Sequence, residues 1–285
     1  MIPAAFDYTR PTSVDDAVRA LADGGEDAKV LAGGQSLIPM LRLRFAVPTT
    51  LVDLGAVDAM RGIHDDGDAL VIGAMTTHDD VMKSSLVQEH APLIAQATAT
   101  VADRQVRHLG TFGGSLAHAD PAGDLPSVAS ALDASFEVAG PSGRRSVPAS
   151  EFFVDYLTTA MEPDELLVSV RVPKLTGWGT HYEKFNRMAQ AWAMVGVAAA
   201  VRRSNGDIAE ARVALTNMGP TPIRAHAVEE AMVGAPAEQG ALQAAAERAG
   251  EGTSPTGDVS ASAEYRAHLA TVLTRRALQA AATSR

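Results

Sequence analysis

Apolar side chains at Val14, Ala17, Val18 and Leu21 recur at the spacing of one helix face, and Ser13-Val14-Asp15-Asp16 ahead of them reads as a capping box with Asp in place of Glu. Gly24-Gly25 ends that helix. The period then changes. Lys29 to Leu31 predicts a short buried strand, and Leu37 to about Leu43 predicts a helix that Ser36 and the early Pro39 suit. Thr50 to Leu54 and Ala69 to Gly73 predict further strands. His78-Asp79-Asp80 opens a helix, Ala91 to Ala102 is helical by composition, and Asp124-Leu125-Pro126 marks another helix start. Ser135 to Ala139 and Ser146-Val147 flank a Gly-Pro-Ser-Gly turn, and Glu165 to Val172 predicts a strand. The breaker-rich stretch Pro173 to Gly179 then predicts a domain boundary.

Beyond it, Tyr182 to Phe185, Val195 to Val201 and Ile208 to Leu215 predict three strands. The last two are joined through Asn205-Gly206, a strong hairpin signal. Gly219-Pro220-Thr221-Pro222 stops that sheet, and Ala-rich helices are predicted over Arg224 to Met232, Ala241 to Arg248 and Ala263 to about Ala282. The expected architecture is α+β. Residues 1–176 form a two-lobed first domain (about 1–54 and 55–176), and residues 177–285 form a smaller domain of a three-stranded antiparallel sheet with helices.

Two glycine pairs interrupt this pattern, each after an apolar run. The first is Leu31-Ala32-Gly33-Gly34-Gln35-Ser36-Leu37; the second is Thr111-Phe112-Gly113-Gly114-Ser115-Leu116-Ala117-His118. Paired glycines allow positive φ and close approach of a ligand, and successive inward-pointing N–H groups make an anion-binding nest. Taken alone, either pair also reads as a plain turn. There is no G-x-G-x-x-G after a strand and no G-x-x-x-x-G-K, so a Rossmann site and a P-loop are disfavoured.

Composition narrows the chemistry. The chain has 285 residues and a formal net charge of −10, which argues against a nucleic-acid partner. No apolar run is long enough to span a bilayer. There is no cysteine, so thiolate-held clusters and disulfides are excluded from this chain; a redox role needs an organic cofactor here and any iron–sulfur centres elsewhere. The eight histidines lack metal spacing, and no G-x-S-x-G or Ser/His/Asp pattern supports hydrolysis.

The two glycine segments, with Phe6-Asp7-Tyr8, Val52-Asp53-Leu54, Ile72-Gly73-Ala74-Met75-Thr76-Thr77-His78, Tyr182-Glu183-Lys184-Phe185, Ala211 to Asn217 and Glu264-Tyr265-Arg266, occur in an order that resembles the FAD-binding medium subunits of molybdenum hydroxylases. The run Tyr182 to Arg224 is most similar to the carbon monoxide dehydrogenase branch. The resemblance covers nearly the whole chain. It implies a two-lobed FAD-binding domain of the vanillyl-alcohol-oxidase/PCMH type. It also implies a molybdopterin cofactor and [2Fe–2S] clusters on partner chains: a molybdenum-binding large subunit and an iron–sulfur small subunit, in a dimer of heterotrimers. The expected location is the cytoplasm, including the inner face of the membrane, with an external electron acceptor such as a quinone.

By that resemblance, Leu31, Ala32, Gly33, Gly34, Gln35, Ser36 and Leu37 wrap the FAD pyrophosphate through main-chain amides, with Gln35 and Ser36 adding side-chain donors. Thr111, Gly113, Gly114 and Ser115 match a second phosphate-facing segment, and His118 a flavin-contacting position. Asp124 matches an acceptor for a sugar hydroxyl; from its neighbours alone it reads equally as a helix N-cap. Val101 and Ala102 match an apolar wall near the flavin, or core helix. Leu167 matches a side chain packed on the isoalloxazine, or ordinary core. Lys184 matches a cation at the flavin's pyrimidine edge, or a strand lysine paired with Glu183. Ala191 departs from relatives that carry an acidic residue beside the flavin. No acid or base catalyst is predicted. Rival readings are the flavin subunit of a purine or aromatic hydroxylase, and a flavin-free assembly protein that kept the fold.

Overall fold

A computed structural model of the protein describes residues 2–284. Its first lobe runs β1 (Asp7–Thr9), α1 (Val14–Gly24), β2 (Ala28–Leu31), α2 (Leu37–Leu43) and β3 (Thr50–Asp53). The three strands form a parallel sheet in the order β1-β3-β2. Ser13 caps α1 by accepting from the Asp16 amide, and Val14, Ala17, Val18 and Leu21 are the buried face that the spacing predicted. Burying such a face, rather than helix propensity, holds so short an element in place.

The second lobe contains β4 (Ile63–Asp66), β5 (Ala69–Gly73), α3 (His78–Lys83), α4 (Ser85–His90), α5 (Pro92–Ala99), α6 (Arg104–Leu109), α7 (Phe112–His118) and α8 (Asp124–Ala131). It continues through β6 (Ser135–Gly140), β7 (Gly143–Pro148), α9 (Ala149–Phe152), β8 (Phe153–Asp155), β9 (Thr158–Thr159) and β10 (Leu166–Pro173). An antiparallel sheet, β4-β5-β10-β6-β7, carries it, and β8 and β9 pair separately. A register shift between Leu167 and Ser169 bulges β10, and the Val168 carbonyl there accepts the Ala74 amide.

The remainder is β11 (Gly179–Phe185), β12 (Val195–Ser204), β13 (Asp207–Thr216), β14 (Ile223–Arg224) and helices α10 (His226–Met232), α11 (Gln239–Ala246) and α12 (Ala263–Thr283). Its sheet has four strands, β11-β12-β13-β14, where three were expected. The Gly-Pro-Thr-Pro break turns the chain without ending the pairing, because Ile223 and Arg224 return to Leu215 and Ala214. Asn205 and Gly206 both take positive φ, as a tight hairpin turn requires.

Strand β12 explains how the halves meet. Val197, Ala199 and Val201 point into a core shared with α10, α11 and α12, while Ala198 and Ala200 belong to the core that the first two lobes share. A strand buried on both faces reads as an unbroken apolar run, and small alanines on one face let α5 and α8 come close. Tyr182 and Lys184, two residues apart on β11, share that α8-facing side.

Candidate functional site

Between β2 and α2 the chain crosses the first glycine pair, and Leu31 to Leu37 are all half-buried. The backbone N–H groups of Gly33, Gly34, Gln35 and Ser36 donate to no protein acceptor among the described residues. Gly34 has φ +71°, the left-handed region that glycine tolerates. Ser36 makes no capping bond with its side chain, so its hydroxyl is available, contrary to a simple N-cap role. Gln35 turns back and donates from Nε2 to the Gly33 carbonyl at 3.1 Å, which takes one of its two N–H groups. Four unanswered amides on a partly buried turn are what a nest for an anionic ligand needs, since buried amides otherwise find partners.

The second glycine pair is not a loop. Gly113 and Gly114 lie in the first turn of α7, without positive φ, and Thr111 caps the helix by accepting from the Gly114 amide at 3.1 Å. The amides of Phe112, Gly113 and Ser115 donate to Thr76, Ala74 and Thr111 carbonyls. The expected symmetrical grip by main-chain amides from two segments is therefore corrected: this segment's amides are already engaged. Its glycines serve close approach. A Cβ on Gly113 would lie 2.6 Å from Ala74 Cα, and one on Gly33 would lie 2.7 Å from Gly110 Cα. A Cβ on Gly114 would come within 3.5 Å of Ala32 Cβ, so the two segments lie side by side. The first supplies free donors; the second supplies the Ser115 hydroxyl, which has no protein partner among the described residues.

Around these segments the other predicted residues divide into two groups. Val101 and Ala102 form a half-buried turn just after α5, with Ala102 at φ +41°. Arg107 Nη1 donates to the Val101 carbonyl at 2.7 Å and to that of Ala102 at 3.4 Å, and so braces a turn that an alanine resists. Leu167 is buried in the second-lobe core beside the β10 bulge. His118 is half-buried at the end of α7.

Asp124 and Lys184 meet from opposite halves of the molecule. Asp124 is the first residue of α8; Gly123 holds the N-cap position, so the N-cap reading of Asp124 is corrected. Lys184 is not an exposed partner of Glu183. Its side chain is 5% exposed, and Nζ sits 2.7 Å from Asp124 Oδ2 and 3.1 Å from the Thr100 carbonyl. Glu183 faces the other way, toward His181 and Arg276. Tyr182 Oη donates to Asp124 Oδ1 at 2.7 Å. Burial pushes the Asp124 carboxyl above the usual carboxylate range, against the pull of Lys184 and Tyr182. Burial and the neighbouring Asp124 charge push the Tyr182 phenol well up, so it stays a donor.

Four participants escaped the sequence reading: the hydroxyl of Tyr182, the carbonyl of Thr100, the brace from Arg107, and His78. The His78 ring is buried against Gly110, its Nδ1 has no partner, and burial with the nearby Arg107 charge lowers its pKa to about 4. Only the positive φ at Ala102 and the reach of an arginine five residues on could have hinted at the brace, and neither is visible without coordinates.

Residues 4–175 match the FAD binding domain in molybdopterin dehydrogenase, and residues 180–281 match the CO dehydrogenase flavoprotein C-terminal domain. The chain belongs to the family of FAD-binding subunits of molybdenum hydroxylases. It is similar to the carbon monoxide dehydrogenase medium chain of Hydrogenophaga pseudoflava, 42% identical over 99% of this chain and 98% of that one. The corresponding chain of Afipia carboxidovorans is 40% identical over the same shares. A solved carbon monoxide dehydrogenase from H. pseudoflava superposes with a TM-score of 0.96, covering 99% of this chain and 98% of that one at 44% identity. Quinoline 2-oxidoreductase from Pseudomonas putida gives 0.95 at 34%, covering 99% and 98%.

Proposed function

We propose that this chain is the flavin subunit of a carbon monoxide dehydrogenase. In this reading it holds FAD beside a partner that carries iron–sulfur clusters and another that carries the molybdenum cofactor, and it passes electrons to an external acceptor such as a quinone. The observation that carries the reading is the turn Gly33–Ser36, whose four free amides fit a pyrophosphate, in a chain similar over its full length to carbon monoxide dehydrogenase medium chains. Bound FAD supplies the group that takes up and releases electrons.

The chain's own residues bind and orient. Gly33 to Ser36 donate amides to the diphosphate, Ser36 and Ser115 add hydroxyls, and Gly113 and Gly114 let α7 pack against Ala74 and Ala32, which brings Ser115 beside the first segment. Val101, Ala102, Leu167 and His118 wall the flavin. The Lys184 ammonium has three N–H bonds and two protein acceptors, which leaves one for the cofactor and places a positive charge where reduced flavin gains a negative one. Asp124 acts through Lys184 and keeps its remaining lone pairs for a cofactor hydroxyl or N–H. Among the described residues no helix is long and apolar enough to cross a membrane.

A second reading changes only the substrate. Relatives named 6-hydroxypseudooxynicotine dehydrogenase and xanthine dehydrogenase match nearly as much of the chain, at 38% and 31% identity. The test is purification of the chain with its accompanying subunits, counting FAD, molybdenum and iron. The expected result is one FAD per chain and bleaching of the flavin band under carbon monoxide. A complex that never retains flavin defeats the proposal; flavin that is bleached only by an N-heterocycle or a purine favours the second reading.

A further inference from the structure

Gly196 on β12 lies in register between Lys184 on β11 and Thr216 on β13. The position has no side chain, and the gap is used. A Cβ there would stand 2.5 Å from Tyr182 Oη and 3.0 Å from Thr216 Oγ1. Through the space Tyr182 Oη reaches Thr216 Oγ1 at 3.1 Å, and Thr216 Oγ1 meets Ser127 Oγ on α8 at 2.5 Å. Ser127 Oγ also lies 3.1 Å from the Asp124 carbonyl; with the Ser127 proton given to Thr216, Thr216 donates to Tyr182 and Tyr182 to Asp124 Oδ1, one proton from each hydroxyl. Asp124, Ser127, Tyr182 and Thr216 thus close a ring of buried polar groups that starts and ends on Asp124, with two members on α8 and two on the C-terminal sheet, and Lys184 joins it through Asp124 Oδ2.

A buried polar ring of this kind has one clear need. A carboxylate taken out of water must keep its donors, or it recovers a proton from the nearest acid. Here that acid is the Lys184 ammonium. If Tyr182 did not donate to Oδ1, Asp124 would draw the Lys184 proton toward itself and the pair would become less polar. Thr216 and Ser127 have no other evident task than to set the direction of the Tyr182 O–H. The hydroxyl chain also fixes which of its neighbours Tyr182 serves, because a phenol has only one proton to give.

We propose that Tyr182, aimed by Thr216 and Ser127 across the gap at Gly196, is a positioning residue that keeps the Asp124–Lys184 pair ionised so that the free Lys184 N–H favours reduced over oxidised flavin. This rests on the flavin reading above, and it assigns to Tyr182, Ser127, Thr216 and Gly196 a part in setting the cofactor's potential from behind the site. The electrons themselves pass between the flavin and its partners, and the ring takes up none.

The test measures the affinity of the deflavinated, fully assembled complex for oxidised and for reduced FAD. With Tyr182→Phe, oxidised FAD should bind within about threefold of the parent, and reduced FAD at least about tenfold more weakly, the size expected for losing a hydrogen bond to a charged group. A tenfold selective loss is equivalent to a fall of about 30 mV in the two-electron potential. Thr216→Ser keeps the hydroxyl and should behave as the parent. A merely structural Tyr182 would weaken both redox forms alike. An unchanged ratio, or a raised potential, overturns the proposal. Should Tyr182→Phe fail to assemble, Ser127→Ala carries the same prediction at about threefold. If the parent complex itself binds no FAD, the flavin reading fails; if it binds FAD and the ratio does not move, only the role of Tyr182 fails.

Discussion

Replacing Gly33 by alanine probes the contact that joins the two glycine segments. The new Cβ would stand 2.7 Å from Gly110 Cα and 3.0 Å from the Leu109 carbonyl carbon, and both neighbours are backbone. Neither can rotate away, so the Gly33–Ser36 turn or the end of α6 must shift. Overpacking of this kind costs about 1–3 kcal/mol. If the shift is reversed only when cofactor binds, a midpoint of about 2 kcal/mol raises the Kd for FAD by about thirtyfold. Gly25→Ala is the matched control: φ is +66°, but no atom lies within 4 Å of its added Cβ. It should lower stability by about 1–2 kcal/mol through backbone strain alone and leave FAD binding as it was. Fluorescence titration of FAD into both variants, with thermal unfolding of the apo-proteins, separates the two effects. A Gly33→Ala protein that binds FAD within about threefold of the parent would show that this approach does not shape the site.

Substitutions at His78, Ala102 and Asp124, the last paired with one at Lys184, test the surrounding structure. His78 titrates near 6.5 when unfolded and about 4 in the fold, so the unfolded chain binds the extra proton between those values. Its contribution is therefore complete above pH 6.5 and is lost as pH falls toward 4, by at most about 3 kcal/mol; His78→Gln should flatten the acid limb of denaturant-midpoint against pH. Ala102→Gly should leave thermal stability unchanged or slightly raised, while Ala102→Val should lower it by about 1–2 kcal/mol, because φ +41° resists a branched side chain. Asp124→Asn strands the buried Lys184 ammonium and should cost about 3–5 kcal/mol, with much of that recovered by adding Lys184→Met, in a double-mutant cycle read by urea unfolding.

The elements that periodicity controls were legible. The buried face of α1, the strand before the first glycine pair and the Asn205-Gly206 hairpin all depend on local spacing and turn chemistry, and they fall where those rules put them. The failures have a common cause. β1, β4 and β14 are three, four and two residues long and exist only because a neighbour in the sheet completes their hydrogen bonds. The glycine pair at 113–114 reads locally as a turn, because paired glycines allow positive φ. What puts a glycine at 113 inside a helix is the approach of Ala74, far back in the chain, which leaves no room for a Cβ. Propensity is a local quantity, and here tertiary sterics decides.

The same distinction explains why Asp124 and Lys184 could be picked out one at a time but not as a pair. Each has a sound local alternative, a helix N-cap and a surface strand lysine, and nothing within several residues of either refutes it. The pairing follows from an arrangement with long sequence separation: alternate residues of β11 facing α8 across a layer of alanines on β12. Those alanines and Gly196 read in the sequence as a bland apolar run. In the fold their lack of bulk is what lets a lysine from one half reach a carboxylate in the other, and a tyrosine reach past it to Thr216. Small residues in a buried strand therefore carry as much functional information here as the charged residues they let through. A bulkier residue at 196 would have to displace the Tyr182 hydroxyl, the Thr216 side chain or both. The buried polar network around Asp124 consequently extends through the sheet behind it, to positions that no motif for phosphate or flavin would include.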